Sequence, residues 1–174
     1  PICGVLAHTI NSFAFARILL NDRELGEAGL YGALAGELGV PVLMGSGDDV
    51  FVLENTPIFP SAVWAQTKIA YGHSSGVSLS PEESRLLIAD CAQRAVVGFV
   101  GSAPSGSLAR PQPFVLGTPV SCRLTTQGPA IADLFCTLPM INRLDGVNIE
   151  FSTSSVQETI RLLNSLSAMS FMMR

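Results

Sequence analysis

The 174 residues are 48% apolar and only 14% charged, with a formal net charge of −4, whereas globular domains carry a charged fraction of about 25%. Lys68 is the only lysine and the arginines are scattered, which excludes a basic patch for nucleic acid or an anionic membrane surface; no apolar run approaches the eighteen or so residues of a membrane span. So little charge covers a lone domain of this length poorly and favours burial against a partner.

In chain order, residues 3–7 and 13–20 are apolar runs that predict two strands bracketing a loop over His8–Ser12. Asn21-Asp22 predicts a tight turn. A helix is expected from Gly26 to Leu38, stopped by Gly39 and Pro41. Its large apolar residues, Tyr31, Leu34 and Leu38 with Leu30 and Ala35 beside them, define an expected buried stripe. Glu27 falls on that stripe, which would point its carboxylate inward and require a metal ion, a base or backbone N–H groups as partner. A first-turn glutamate complementing the helix dipole near solvent is the plainer reading. Spacing alone leaves both open.

Val42-Leu43-Met44 predicts a short buried strand of a parallel sheet. The following Gly45-Ser46-Gly47-Asp48-Asp49 lacks the dinucleotide glycine spacing and any Gly-Lys-Ser/Thr, so it is no phosphate loop; Asp48 or Asp49 is expected to cap a helix near Val50. Ala62–Ile69 predicts a strand ending close to Lys68, a residue suited to a substrate carboxylate or a metal-bound water, or simply to the surface. His73 reads as a loop residue. Ser80-Pro81-Glu82-Glu83 is a capping box, opening a helix with Leu87, Cys91, Ala95 and Phe99 on its inner face. Gly101–Pro113 predicts a surface loop, Phe114–Thr125 a strand, Ala130–Leu138 a helix and Val147–Phe151 a strand. Ser155-x-x-Glu158 opens the last helix, with Val156, Ile160, Leu163 and Leu166 inward and Met169, Met172 and Met173 on a soft apolar end. Cys3, Cys91, Cys122 and Cys136 show no C-x-x-C spacing, so they suit reduced thiols of a cytoplasmic protein rather than a zinc knot. The fold class expected is α/β: a mixed, partly parallel sheet with flanking helices, followed by a smaller α/β portion, with a division near 78/79.

The block Ile18-Leu19-Leu20-Asn21-Asp22-Arg23-Glu24-Leu25-Gly26-Glu27-Ala28-Gly29-Leu30, followed by Ala35-Gly36-Glu37-Leu38-Gly39-Val40-Pro41-Val42-Leu43-Met44-Gly45-Ser46-Gly47-Asp48-Asp49, resembles the signature of the zinc-dependent D-aminopeptidases of the DppA type, peptidase family M55. Gly4-Val5-Leu6-Ala7-His8-Thr9 is similar to that family's active-site histidine segment, Lys68 and Leu79-Ser80-Pro81 fall in register, and residues 127–169 resemble its last helix–strand–helix section. The resemblance implies that Glu27 is a metal ligand, that His8 is catalytic without being a principal ligand, and that Lys68 and Asn21 are substrate-binding or supporting residues. It implies zinc, as a pair of ions per complete site, acting on short peptides with N-terminal D-residues such as D-alanine, in a ring-shaped homo-oligomer. The family's Asp-x-Glu-Gly strand and its Asp-Ser-His-Gly and Gly-Tyr-His segments do not occur here, so the chain is expected to be the C-terminal portion of such an enzyme, partnered by an N-terminal polypeptide with the remaining ligands. On this basis residues 1–78 would complete the metal-binding catalytic domain and 79–174 form the C-terminal α/β portion. A noncatalytic scaffold subunit of the same fold and a small-ligand-binding α/β module using the Gly45–Asp49 loop are the competing readings.

Overall fold

The structure is a computed structural model and describes residues 3–101 and 111–173. In chain order it contains β1 (Phe15–Leu20), β2 (Arg23–Glu24), α1 (Glu27–Glu37), β3 (Met44–Asp48), α2 (Asp49–Asn55), β4 (Val63–Gly72), β5 (Ser75–Ser78), α3 (Pro81–Val100), β6 (Val120–Thr126), α4 (Pro129–Phe135), β7 (Asn142–Arg143), β8 (Asn148–Thr153) and α5 (Val156–Ser170). The α/β class is as expected. The described residues fall into two compact units, one within Pro1–Ala7 and Leu38–Phe114, the other within His8–Glu37 and Val115–Arg174. The expected division at 78/79 lies inside the first unit, between β5 and α3. Most of the anticipated Gly101–Pro113 loop lies outside the described residues.

The first unit is a three-stranded sheet in the order β3-β4-β5, with β3 parallel and β5 antiparallel to β4, and α2 and α3 packed against β3 and β4. The parallel strand is Met44–Asp48 rather than Val42–Met44, and its sequence is poor in strand-forming residues. Packing overrides that weak propensity. A Cβ on Gly45 would lie 2.5 Å from the Trp64 ring and one on Gly47 2.6 Å from Phe51, so the glycines leave room for the edge-to-face pair Phe51–Trp64, whose centroids are 5.8 Å apart. Residues 3–7 form a turn, not the expected strand: Leu6 has φ 54°, Ala7 N–H donates to Gly4 C=O, and Val5 N–H goes to Asp48 Oδ2 at 2.7 Å. The capping box of α3 is present in full, Ser80 Oγ accepting from Glu83 N–H while the Glu83 carboxylate accepts from Ser80 N–H. These bonds hold the Glu83 carboxyl below its usual range, the Ser80 hydroxyl contributing most. Of the expected α3 stripe, Cys91 and Ala95 are buried and Leu87 and Phe99 half-buried.

The second unit is a five-stranded antiparallel sheet in the order β2-β1-β6-β8-β7. Asn21 and Asp22, with φ 47° and 62°, make the two-residue turn joining β1 to β2, a conformation that asparagine and aspartate tolerate best after glycine. One face of the sheet is buried through Ile18, Leu20, Val120, Cys122, Leu124, Ile149 and Phe151. Burial pushes the Cys122 thiol up to about 12, so it serves as a small core residue. A bulge between Phe15 and Arg17 breaks the alternation of β1, which returns Phe15 to the core, edge-on to Phe135 at 6.1 Å. Strand β6 begins at Val120 instead of Phe114, because Pro119 has no N–H for the ladder. Val156, Ile160, Leu163 and Leu166 of α5 are buried, as their spacing predicts.

Helix α1 packs on α5 with a face the sequence reading did not anticipate. Its buried residues are Gly29, Leu30, Gly32, Ala33 and Gly36, while Tyr31 is 46% and Leu38 71% exposed. A helix that lies close to a neighbour buries its smallest residues, and a periodicity read from large side chains then marks the opposite face. Across the α1–α5 pair, both Glu37 carboxylate oxygens accept from the first turn of α5, from Val156 N–H and Gln157 N–H, each at 3.0 Å. A carboxylate there meets orphan donors and the positive end of the helix dipole. Glu37→Ala is expected to destabilise the protein by about 1 kcal/mol, read as a lower denaturation midpoint; an unchanged midpoint would mean that Ser155 caps α5 sufficiently by itself.

Candidate functional site

Glu27 is the first residue of α1 and is itself half-buried, but the stripe it shares with Tyr31 and Leu38 is the face turned away from the buried one, not the core-facing stripe expected for it. Its partner is a backbone group: Ile10 N–H donates to Oε1 at 2.8 Å. An ionised carboxylate has about four acceptor positions, so this bond orients the group and leaves acceptor capacity on it. Ile10 lies two residues after His8. The exposed His8 therefore sits on a loop tied directly to the Glu27 carboxylate, within the second unit.

The loop itself is unusual. Asn11 N–H donates to Thr9 C=O at 2.6 Å, closing a three-residue γ-turn around Ile10, whose φ is 60°. A β-branched residue with positive φ is a genuine outlier, costing on the order of 1–3 kcal/mol, and such strain persists where the surroundings over-determine it. Here Asn11 supplies that determination. It is 7% exposed; its Nδ2 donates to Ser167 Oγ at 2.9 Å and Ser170 Oγ at 3.0 Å on α5, and its Oδ1 accepts from Phe13 N–H at 3.0 Å. Sequence reasoning missed Asn11, since the α5 serines that its Nδ2 reaches lie more than a hundred residues away.

The other anticipated residues are placed differently. Asn21 is in the second unit at the β1–β2 turn, where Nδ2 donates to Gly117 C=O at 2.7 Å and Oδ1 accepts from Ser121 N–H at 2.8 Å; both ends of its amide hold chain together. Lys68 belongs to the first unit, exposed within β4 and not at its end, opposite Asp48 on one side and Ser78 on the other. His73 is in the β4–β5 turn, and its C=O accepts from Leu6 N–H at 2.7 Å. Asp48 caps α2 through Phe51 N–H at 2.8 Å, as expected, and also holds Val5 N–H. Asp49 Oδ1 accepts from Ala70 N–H at 2.7 Å. The Gly45–Asp49 segment is thus consumed by packing and capping, leaving no basis for a ligand loop there.

Among the described residues no three His, Cys, Asp or Glu side chains cluster as a metal centre, and no helix is long and apolar enough to cross a membrane. Cys3, Cys91, Cys122 and Cys136 are free thiols. Glu27, a carboxylate fixed by one N–H, fits the part of a single metal ligand; the described residues do not complete a centre around it.

Comparison with known proteins decides the family. The profile of Peptidase M55, described as D-aminopeptidase, matches residues 2–165. The chain belongs to the M55 family. This M55 chain is 34% identical over 87 residues to a D-aminopeptidase of Bacillus subtilis (strain 168), an alignment covering 50% of this chain and 31% of that protein. Its fold matches the solved structure of the Zn-dependent D-aminopeptidase DppA from Bacillus subtilis, described as a self-compartmentalizing protease, with a TM-score of 0.87 over 97% of this chain and 58% of that one, at 22% identity. The M55 chain therefore spans less than two thirds of the length of either relative.

Proposed function

We propose that this chain is part of a zinc-dependent D-aminopeptidase that removes N-terminal D-residues, of the D-alanine type, from short peptides. The observation that carries the reading is the Ile10 N–H to Glu27 bond in a chain matched to the M55 family over residues 2–165. It ties the loop bearing His8 to a carboxylate that keeps acceptor capacity for a metal. In this reading Glu27 is one metal ligand, and the remaining ligands lie outside the described residues, on the N-terminal portion of the enzyme. Zinc, when bound, supplies a Lewis acid and lowers the pKa of water towards neutrality.

This chain's own contribution is to hold and move protons and to orient groups. His8 is the residue that takes a proton from the nucleophile or delivers one to the leaving amine, and Glu27 holds the His8 loop through Ile10 as well as facing the metal. The family resemblance gives Lys68 and Asn21 substrate-binding or supporting roles, Asn21 through the chain segments that its amide holds together. The assembly is a homo-oligomer, and apolar side chains left exposed on α3, such as Leu86, Val97 and Val100, are suited to burial between subunits.

Native mass spectrometry of the purified protein, combined with hydrolysis of matched D-alanyl and L-alanyl dipeptides, tests the reading. Expected are zinc in the native particle, an oligomeric mass including the polypeptide with the other ligands, and preference for the D-substrate. Absence of zinc together with hydrolysis of neither peptide would refute it in favour of a scaffold.

A further inference from the structure

Asn11 uses nearly all of its hydrogen-bonding capacity on one task. Its N–H closes the γ-turn on Thr9, its C=O accepts from Ala14 N–H at 3.1 Å and Phe15 N–H at 2.8 Å, its Oδ1 takes Phe13 N–H, and its Nδ2 reaches both serines near the end of α5. Ser170, itself fully buried, passes its hydroxyl on to Ser167 C=O at 2.7 Å. A carboxamide is suited to this junction because it accepts from a backbone N–H at one end while donating to two hydroxyls at the other. The result of the clamp is local: it keeps Ile10 at positive φ, and that conformation aims Ile10 N–H at Glu27.

We propose that Asn11 is a positioning residue, which sets the His8 loop against the Glu27 carboxylate by clamping the strained γ-turn at Ile10 to Ser167 and Ser170 of α5. The proposal rests on the aminopeptidase reading for its effect on turnover, but the clamp itself can be observed without activity. Strain of this kind at a β-branched residue is kept where geometry matters, and a small misplacement of a reacting group can cost about a hundredfold in rate.

The test compares Asn11→Ala with the parent protein, and uses a Ser167→Ala/Ser170→Ala double variant, which spares the Asn11 backbone, if Asn11→Ala does not fold. D-Alanine p-nitroanilide is the kinetic probe, alongside zinc content and amide exchange by mass spectrometry. The expected result is a fall in kcat of about ten- to a hundredfold with KM within about twofold, zinc content unchanged, and faster exchange confined to residues 8–15. Unchanged kcat overturns the positioning role, as does loss of protection throughout the second unit, which would make Asn11 a folding residue. If the parent protein itself does not cleave the probe, the aminopeptidase reading fails separately. The exchange data then decide the clamp, and unchanged protection at residues 8–15 refutes it.

Discussion

Glu27→Ala is expected to empty the metal site and abolish hydrolysis. Removing an outer contact from a metal centre already costs about 10- to 100-fold in affinity, so loss of a direct ligand should exceed that and leave zinc below stoichiometry after dialysis. The substitution also deletes the acceptor of Ile10 N–H. Hydrogen bonds to charged groups contribute about 1.5–3 kcal/mol, and the donor left without its acceptor is the N–H of the strained Ile10 itself. Glu27→Ala thus combines two effects, ligand loss and release of the His8 loop.

Glu27→Gln separates them. The glutamine carbonyl can still accept from Ile10 N–H, so the loop and the folding stability should persist, while the neutral amide is a far poorer zinc ligand than a carboxylate. Metal analysis on the two variants therefore has a sharp expectation: both lose zinc, and only the alanine variant loses protection over the His8 loop. Full zinc occupancy in Glu27→Gln would remove Glu27 from the ligand set. It would leave the carboxylate as a structural acceptor at the start of α1, the plainer reading that its first-turn position always allowed.

What could be read from the chain beforehand follows the range of the interactions concerned. The α3 capping box, the Asn21-Asp22 turn and the inward face of α5 involve residues within a few positions of one another, and all appear as expected. The buried face of α1 was legible only in part, because Gly29, Gly32 and Gly36 are invisible to a search for large apolar side chains yet let the helix approach α5. Strand β3 was displaced for a related reason: Gly45 and Gly47 look like loop residues until Trp64 and Phe51 are placed over them. In the candidate site, His8 and Glu27 came from the family resemblance rather than from spacing. What joins them is a backbone N–H, which no side-chain pattern announces, and what braces the joint is Asn11, whose partners Ser167 and Ser170 are brought to it by the tertiary fold.

His8→Ala should leave a folded, zinc-loaded protein with turnover reduced by about 10²–10⁴-fold, the range for loss of a general acid–base group. The side chain is exposed, and an unchanged denaturation midpoint in the variant is the check that separates a kinetic defect from misfolding. The structural features of the loop remain in the variant, since the γ-turn, the Asn11 clamp and the Ile10 bond to Glu27 involve none of the His8 side-chain atoms. Metal content should be unchanged, as His8 is not assigned as a principal ligand. This gives His8→Ala a signature opposite to that of Glu27→Gln: metal kept and turnover lost, against metal lost and turnover lost with it. Added imidazole, able to occupy the vacated space and exchange a proton at neutral pH, should restore part of the rate to His8→Ala and none to Glu27→Gln. Turnover within a few-fold of the parent for His8→Ala would sink the acid–base assignment, and the proton-transfer group would then have to be sought outside this loop.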